Sequence, residues 1–215
     1  MKKDDVVTMA YMGEGATSSS EFHNALNFAG VFKTPCVFFC RNNGWAISTP
    51  AQVQTASKSV AQKALAYGFP GIRVDGNDVL ALIAVTSAAA ARARAGEGPT
   101  LIEALTYRRA AHSSSDDPSV YRKGELDETT QWEQRDPVAR YTKYIQNRGL
   151  LTPEIDKTYR DEITEEITRE LKHAESVGPP PLVSMIEDVF AQPTPILREQ
   201  MAEILAMPRQ KLSHV

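Results

Sequence analysis

The chain reads as an α/β fold: a mostly parallel sheet with helices on both faces, followed by a helical carboxyl-terminal region. Three observations predict this. Short continuous apolar runs, Val6-Val7-Thr8-Met9-Ala10-Tyr11-Met12 and Cys36-Val37-Phe38-Phe39-Cys40, have the β-branched and aromatic content of buried strands. Helical patterns alternate with such strands as far as Tyr107, the order that produces parallel sheets. From Asp136 onward the pattern is helical only.

Each element has a local reason. Residues 16–41 are about the length of a strand–helix–strand unit, which makes its two strands parallel neighbours. Glu21–Val31 is the expected helix between them. Ser57–Tyr67 reads as a second helix, with Val60, Ala64 and Leu65 on one face and Gly68 as its stop. Ile72-Arg73-Val74 is a short strand, Asn77 or Asp78 caps an Ala-rich helix reaching Ala95, and Thr100–Thr106 is another strand. Residues 107–136, rich in Ser, Asp, Arg and Gly, read as a long functional loop. Pro137 opens a helix through Asn147 that Gly149 stops, and Pro153 opens another through about Ser176 with a solvated charged face. Gly178-Pro179-Pro180-Pro181 is a rigid break. The apolar stretches Leu182–Phe190 and Ile196–Leu205 after it need a partner surface. The expected division is 1–135 for the α/β domain, with its loop at 107–136, and 136–215 for the helical region.

Composition excludes several classes. A net charge of −3 in 215 residues gives no signal for nucleic acid or an anionic membrane surface. No run of 18 apolar residues suggests a spanning helix. The charged start Met1-Lys2-Lys3-Asp4-Asp5 does not read as a signal peptide, and a cytoplasmic setting is expected. Cys36 and Cys40 on one strand lie about 13 Å apart at roughly 3.3 Å per residue, too far to bridge, and read as buried free thiols.

Gly13-Glu14-Gly15 and Asn42-Asn43 each follow one of the two strands, so both fall on the carboxyl edge where open α/β sheets bind ligands. Taken singly, each is equally a strand-ending turn. Together they offer the Glu14 carboxylate and Asn43 amide oxygen, with a main-chain carbonyl at Trp45, as hard ligands suited to magnesium. Gly13 and Gly15 let backbone approach a phosphate, and Ala16 begins a helix amino-terminus that favours anions. Arg41, at the end of the second strand, is on its own as readily a sheet-edge ion pair as a functional group. Arg108 could meet a phosphate. His112 is a surface histidine or a proton-transfer group. His23 reads as a packing or interface residue.

This pattern resembles the thiamine-diphosphate signature, whose usual form is Gly-Asp-Gly followed at this spacing by paired Asn. The text Phe38-Phe39-Cys40-Arg41-Asn42-Asn43-Gly44-Trp45-Ala46-Ile47-Ser48-Thr49 resembles the alpha subunit of branched-chain 2-oxo acid dehydrogenase. So do Thr106-Tyr107-Arg108 with His112-Ser113-Ser114-Ser115-Asp116-Asp117, and Ile72-Arg73-Val74-Asp75-Gly76-Asn77-Asp78. The likeness covers nearly the whole chain, but family subunits are nearly twice as long and the matching region is their second half. Glu14 replaces the commoner Asp, as in the branched-chain subtype, and Trp45 replaces that subtype's usual Tyr.

The resemblance implies thiamine diphosphate and Mg2+ as cofactors. Metal ligands would be Glu14, Asn43 and Trp45, and the diphosphate would be lined by Gly13, Gly15, Ala16 and Arg41. Arg108 and His112 would serve the reacting end, and Ser113 matches a position phosphorylated in some animal members. Implied partners are a beta subunit in an alpha2beta2 heterotetramer, a lipoyl-bearing dihydrolipoyl acyltransferase and a branched-chain 2-oxo acid. The setting would be the mitochondrial matrix in a eukaryote. A pyruvate or acetoin dehydrogenase alpha subunit and a non-catalytic remnant are the alternatives.

Overall fold

The computed structural model describes residues 5–122 and 126–208. The Met1–Asp4 part of the charged start therefore lies outside the described residues. Two compact units divide the chain, Met1–Leu151 and Thr152–Val215.

The first unit is built on four parallel strands in the order β1-β2-β6-β5. These are β1 (Thr8–Gly13), β2 (Cys36–Asn42), β5 (Gly71–Asp75) and β6 (Thr100–Leu105). A short antiparallel pair, β3 (Trp45–Ala46) and β4 (Thr49–Pro50), stands apart from the sheet. Pairing of β1 with β2 runs from Thr8 against Cys36 to Gly13 against Arg41. Pairing of β2 with β6 continues to Asn42 against Leu105, which lines up the strand ends on one rim.

Side-chain alternation divides the core between the two faces. On one face Phe38, Cys40 and Leu101 pack against Phe22, Leu26 and Ala29 of α1 (Ser20–Phe32), and against Val60, Ala64 and Phe69. On the other, Val37 and Ile102 meet Ala89 of α3 (Val79–Arg94). In chain order the four-residue α2 (Ala51–Gln54) falls between these helices. Helices thus cover both faces, as the alternation predicts. Burying Leu26, Leu101 and Ile102 stabilises the unit by about 1.5–3 kcal/mol each.

Helix ends follow their side chains. Ser19 caps α1 by accepting from Phe22 N, and Asp78 caps α3 by accepting from Leu80 N and Ala81 N. Asn77, the alternative cap, instead accepts from Thr106 Oγ1 at 2.8 Å and donates to Arg135 O at 3.0 Å.

Two expectations need correction. The Ser57–Tyr67 segment is helical only over Ala61–Tyr67, as a 3-10 helix. Its three-residue period buries Ala61 and Ala64 and turns Leu65 outward, 72% exposed. The supposed loop 107–136 contains a 3-10 turn, Pro118–Val120, and a helix, α4 (Leu126–Glu133). Its Trp132 stacks on Tyr107 with ring centroids 5.9 Å apart. Trp132 is the one aromatic of this eight-residue helix, and its stacking anchors a segment that shows little apolar periodicity.

Helix α5 (Pro137–Asn147), grouped on sequence with the carboxyl-terminal helices, lies in the first unit. Arg140 ties it there, donating to Asp75 Oδ2 at 2.9 Å and to Asn77 O at 3.2 Å.

The second unit holds α6 (Pro153–Val177), α7 (Ser184–Glu187) and α8 (Pro195–Ala206). Thr152 and Thr194 cap the two longer helices, each with proline at the first turn. The expected charged face of α6 carries pairs Lys157–Asp161 and Arg160–Asp156 at four-residue spacing. Among the described residues, no helix is long and apolar enough to cross a membrane.

Gly71 tests the packing of the 3-10 helix on the sheet, because a Cβ there would lie 1.8 Å from Ala61 O. Gly71→Ala should lower stability by about 1–3 kcal/mol in urea unfolding, and an unchanged midpoint would contradict this packing.

Candidate functional site

A cleft of about 680 Å3 opens at the carboxyl ends of β1, β2 and β6. Glu14, Thr17, Asn42, Asn43, Trp45 and Glu103 are among its lining residues. Its position follows from the register, because Gly13 and Arg41 are paired, so β1 ends at Gly13 and β2 one residue later at Asn42, and Glu14 and Asn43 leave the sheet close together.

Glu14 begins the 3-10 helix Glu14–Ser18 and is buried, 4% exposed. Thr17 Oγ1 donates to Glu14 O at 2.7 Å and closes that turn. Glu14 Oε2 accepts from the main-chain N of Asn43 at 3.2 Å, while Oε1 is buried without a hydrogen-bond partner among the described residues. An unpartnered buried carboxylate oxygen is costly and points to a missing cation or donor. The Asn43 side-chain oxygen accepts from Trp45 N at 3.0 Å, leaving it one further lone pair. Gly44, with φ at 81°, supplies the left-handed residue that lets the chain reverse here.

The other candidates are placed differently. Gly15 packs against Ala46, whose Cβ would lie 2.7 Å from a Cβ at Gly15, so close packing alone demands glycine there. At Gly13 an added Cβ meets nothing within 4 Å. Ala16 lies in the first turn after the strand. Arg41 is exposed and, by strand alternation, shares the face of Val37 and Phe39, outside the cleft lining. The His23 ring meets Tyr67 and Phe22, a packing role as expected.

Arg108 and His112 stand beside the cleft, 3.4 Å from each other. Arg108 Nη2 donates to Ile47 O at 2.7 Å and to the Tyr121 hydroxyl at 2.8 Å. Tyr121 in turn donates to Asp116 Oδ2 at 2.7 Å, which also accepts from His112 N. Bonds from the His112 main chain and then from Tyr121 hold the Asp116 carboxyl below the usual aspartate range. The Arg122 guanidinium lies over Trp45, Tyr107 and Tyr121. The segment 107–122 is thereby clasped to the turn at residues 45–47. Ser113 is exposed, its hydroxyl 3.2 Å from that of Ser115.

Sequence reasoning missed Glu103. This carboxylate sits inside β6, 0% exposed, bonded to Asn42 Nδ2 at 2.8 Å and Ala61 N at 2.9 Å. The signal was present, since an acid inside the apolar run Thr100-Leu101-Ile102-Glu103-Ala104-Leu105 has to find donors. Nearby, burial first and the Glu103 and Glu14 charges next push the Cys40 thiol up to about 12. Cys36 and Cys40 are both free thiols, as expected, but only Cys40 is buried and Cys36 is half-buried. Among the described residues, no group of three or more His, Cys, Asp or Glu gathers to hold a metal. A cation here would rest on one carboxylate, an amide and main-chain oxygen.

The sequence profile of the family described as "Dehydrogenase E1 component" matches residues 1–182. The chain belongs to that family. Across 94% of its length, this E1 chain is 48% identical to 3-methyl-2-oxobutanoate dehydrogenase subunit alpha of Mycobacterium tuberculosis (strain ATCC 25618 / H37Rv), covering 55% of that protein. It is 44% identical to pyruvate dehydrogenase E1 component subunit alpha of Acholeplasma laidlawii, over 94% of the chain and 59% of that protein. The corresponding Bacillus cereus subunit is 40% identical over 90% of the chain and 52% of its own length. These relatives are 2-oxo acid dehydrogenase alpha subunits, and the E1 chain spans about half their length.

The Asp116 bonds carry a pH signature. Its folded pKa is depressed, so the tie is complete above the ordinary value of about 3.9 and is lost as pH falls through the folded value. An acid-active protease should cut within 107–122 severalfold faster well below the ordinary aspartate value of about 3.9 than above it, and Asp116→Asn should remove most of that dependence. Cleavage that stays flat across this range would break the assignment.

Proposed function

We infer that this chain is the part of an E1 alpha subunit that holds magnesium and the diphosphate of thiamine diphosphate. The enzyme would act in the cytoplasm, in oxidative decarboxylation of branched-chain 2-oxo acids with delivery of the acyl group to lipoyl on a dihydrolipoyl acyltransferase. One observation carries this reading: the buried Glu14 carboxylate meets the Asn43 main chain at the ends of two paired parallel strands, with one oxygen unpartnered among the described residues.

The donor set fits the metal. Magnesium takes hard oxygen ligands, keeps water and substrate phosphate in its shell, and needs few protein groups. Glu14 and Asn43 would hold it, with main-chain oxygen at Trp45. Gly13, Gly15 and Ala16 would line the diphosphate. Arg41 would have to reach it from the exposed face of β2. When bound, thiamine diphosphate supplies the ring that stabilises the carbanion left by loss of carbon dioxide.

The remaining work belongs to side chains of the 107–122 segment. Arg108, fixed by Ile47 O and Tyr121, presents positive charge beside the cleft for the substrate carboxylate or a phosphate. His112 is 3.4 Å from Arg108 and is the group able to hold or release a proton there. A phosphate on Ser113 would bring about −1.5 to −2 charge next to these groups and oppose anion binding. A beta subunit would complete the site in an alpha2beta2 assembly, so the chain alone should not turn over substrate. The pyruvate subtype is the second reading, favoured by the pyruvate dehydrogenase relatives at 44% and 40% identity.

Calorimetry with thiamine diphosphate should give saturable heat that requires magnesium, in the chain alone or with a beta subunit. Glu14→Gln should weaken it at least roughly tenfold, the scale of one lost charge-assisted contact. Dilution heat only, with a beta subunit present, would sink the cofactor reading. In the reconstituted complex, 3-methyl-2-oxobutanoate should outrun pyruvate, and the reverse order would select the second reading.

A further inference from the structure

Glu103 has a demand of its own and a consequence elsewhere. It lies in β6 between β2 and β5, opposite Cys40 on one side and Arg73 on the other, with no exposure. Arg73 Nε is 3.9 Å from Oε2, too long for a hydrogen bond, so the close donors are Ala61 N and Asn42 Nδ2. An ionised carboxylate in that position is tolerated only with such donors.

The Asn42 amide is committed at both ends. Its nitrogen donates to Glu103 Oε1 at 2.8 Å, and its oxygen accepts from Gly44 N at 3.0 Å. The two bonds fix which way the amide faces, because only its nitrogen can donate and only its oxygen can accept. Gly44 N is the first main-chain group after Asn43. The same turn directs Asn43 N at Glu14 and Trp45 N at the Asn43 side chain. A chain of bonds therefore runs from a carboxylate inside the sheet to the oxygen ligands proposed for the metal.

We propose that Glu103 is the positioning residue of the Asn42–Trp45 turn, acting through the Asn42 amide to set the geometry of the cation site before any cation binds. Its link to the cation rests on the function proposed above. Its hold on the turn does not.

The two ends of the pair can be exchanged. In Glu103→Gln, the new oxygen keeps Ala61 N–H, and the new NH2 faces the NH2 of Asn42, donor against donor. In Asn42→Asp, two carboxylates face each other. In the double variant the amide introduced at position 103 donates to one oxygen of the carboxylate introduced at position 42, while the other oxygen still accepts from Gly44 N–H. The measurements are amide hydrogen exchange on the full chain and calorimetry of thiamine diphosphate with magnesium. Each single variant should speed exchange at Gly44 and Trp45 at least roughly tenfold more than at β2 and β6 amides, and weaken cofactor binding similarly. The double variant should bring both back to within about threefold of the parent, as expected of a coupled pair.

Unchanged exchange at Gly44 in Glu103→Gln would overturn the proposal. So would loss spread evenly over the sheet without rescue, which describes a residue serving stability alone. A parent chain that binds no cofactor, but shows the local loss and its rescue, would overturn the proposed function and support the role of Glu103.

Discussion

Parallel pairing of β1 with β2 controls what the rim can do. The register sets Gly13 against Arg41, so the chain leaves the sheet at Glu14 and at Asn43 within one residue of the same level. A slip of one residue would send every side chain of β1 to the opposite face. Ala10 and Met12 would leave the α1 side, and Met9 the α3 side. The two hydrophobic layers therefore hold the register, and the register holds Glu14 Oε2 at 3.2 Å from Asn43 N.

Much of this was legible because it is local. Four parallel strands, their continuous apolar runs, the cap at Asp78 and the proline starts at Pro137 and Pro153 all announce themselves within a few residues. What escaped was non-local. Leu65 looked inward on a 3.6-residue period and faces out on a three-residue one. Helix α4 depends on Trp132 finding Tyr107, twenty-five positions back in the chain, a contact no periodicity encodes. Glu103 reads as an oddity in a strand until Asn42 and Ala61 come to it from other elements.

The candidate site shows the same split. Glu14 and Asn43 could be paired from their strand context, whereas the clasp of the 107–122 segment could not. It needs Arg108, Asp116 and Tyr121 to converge, with Arg122 lying over Trp45. Membership of the dehydrogenase E1 component family gives the arrangement a frame. Within that frame the glycines differ in kind: Gly15 is required by Ala46, and Gly44 by its positive φ.

The oxygen-bearing residues of the rim come from separate strand ends, and a parallel pair needs a crossover, here through α1, to bring its strands side by side. Such long-range pairings form late because the intervening chain must be ordered first. A nascent or partly unfolded chain thus lacks the juxtaposed Glu14 and Asn43 of the proposed cation site. Uptake of a cation at that proposed site would report, molecule by molecule, that the sheet has finished assembling.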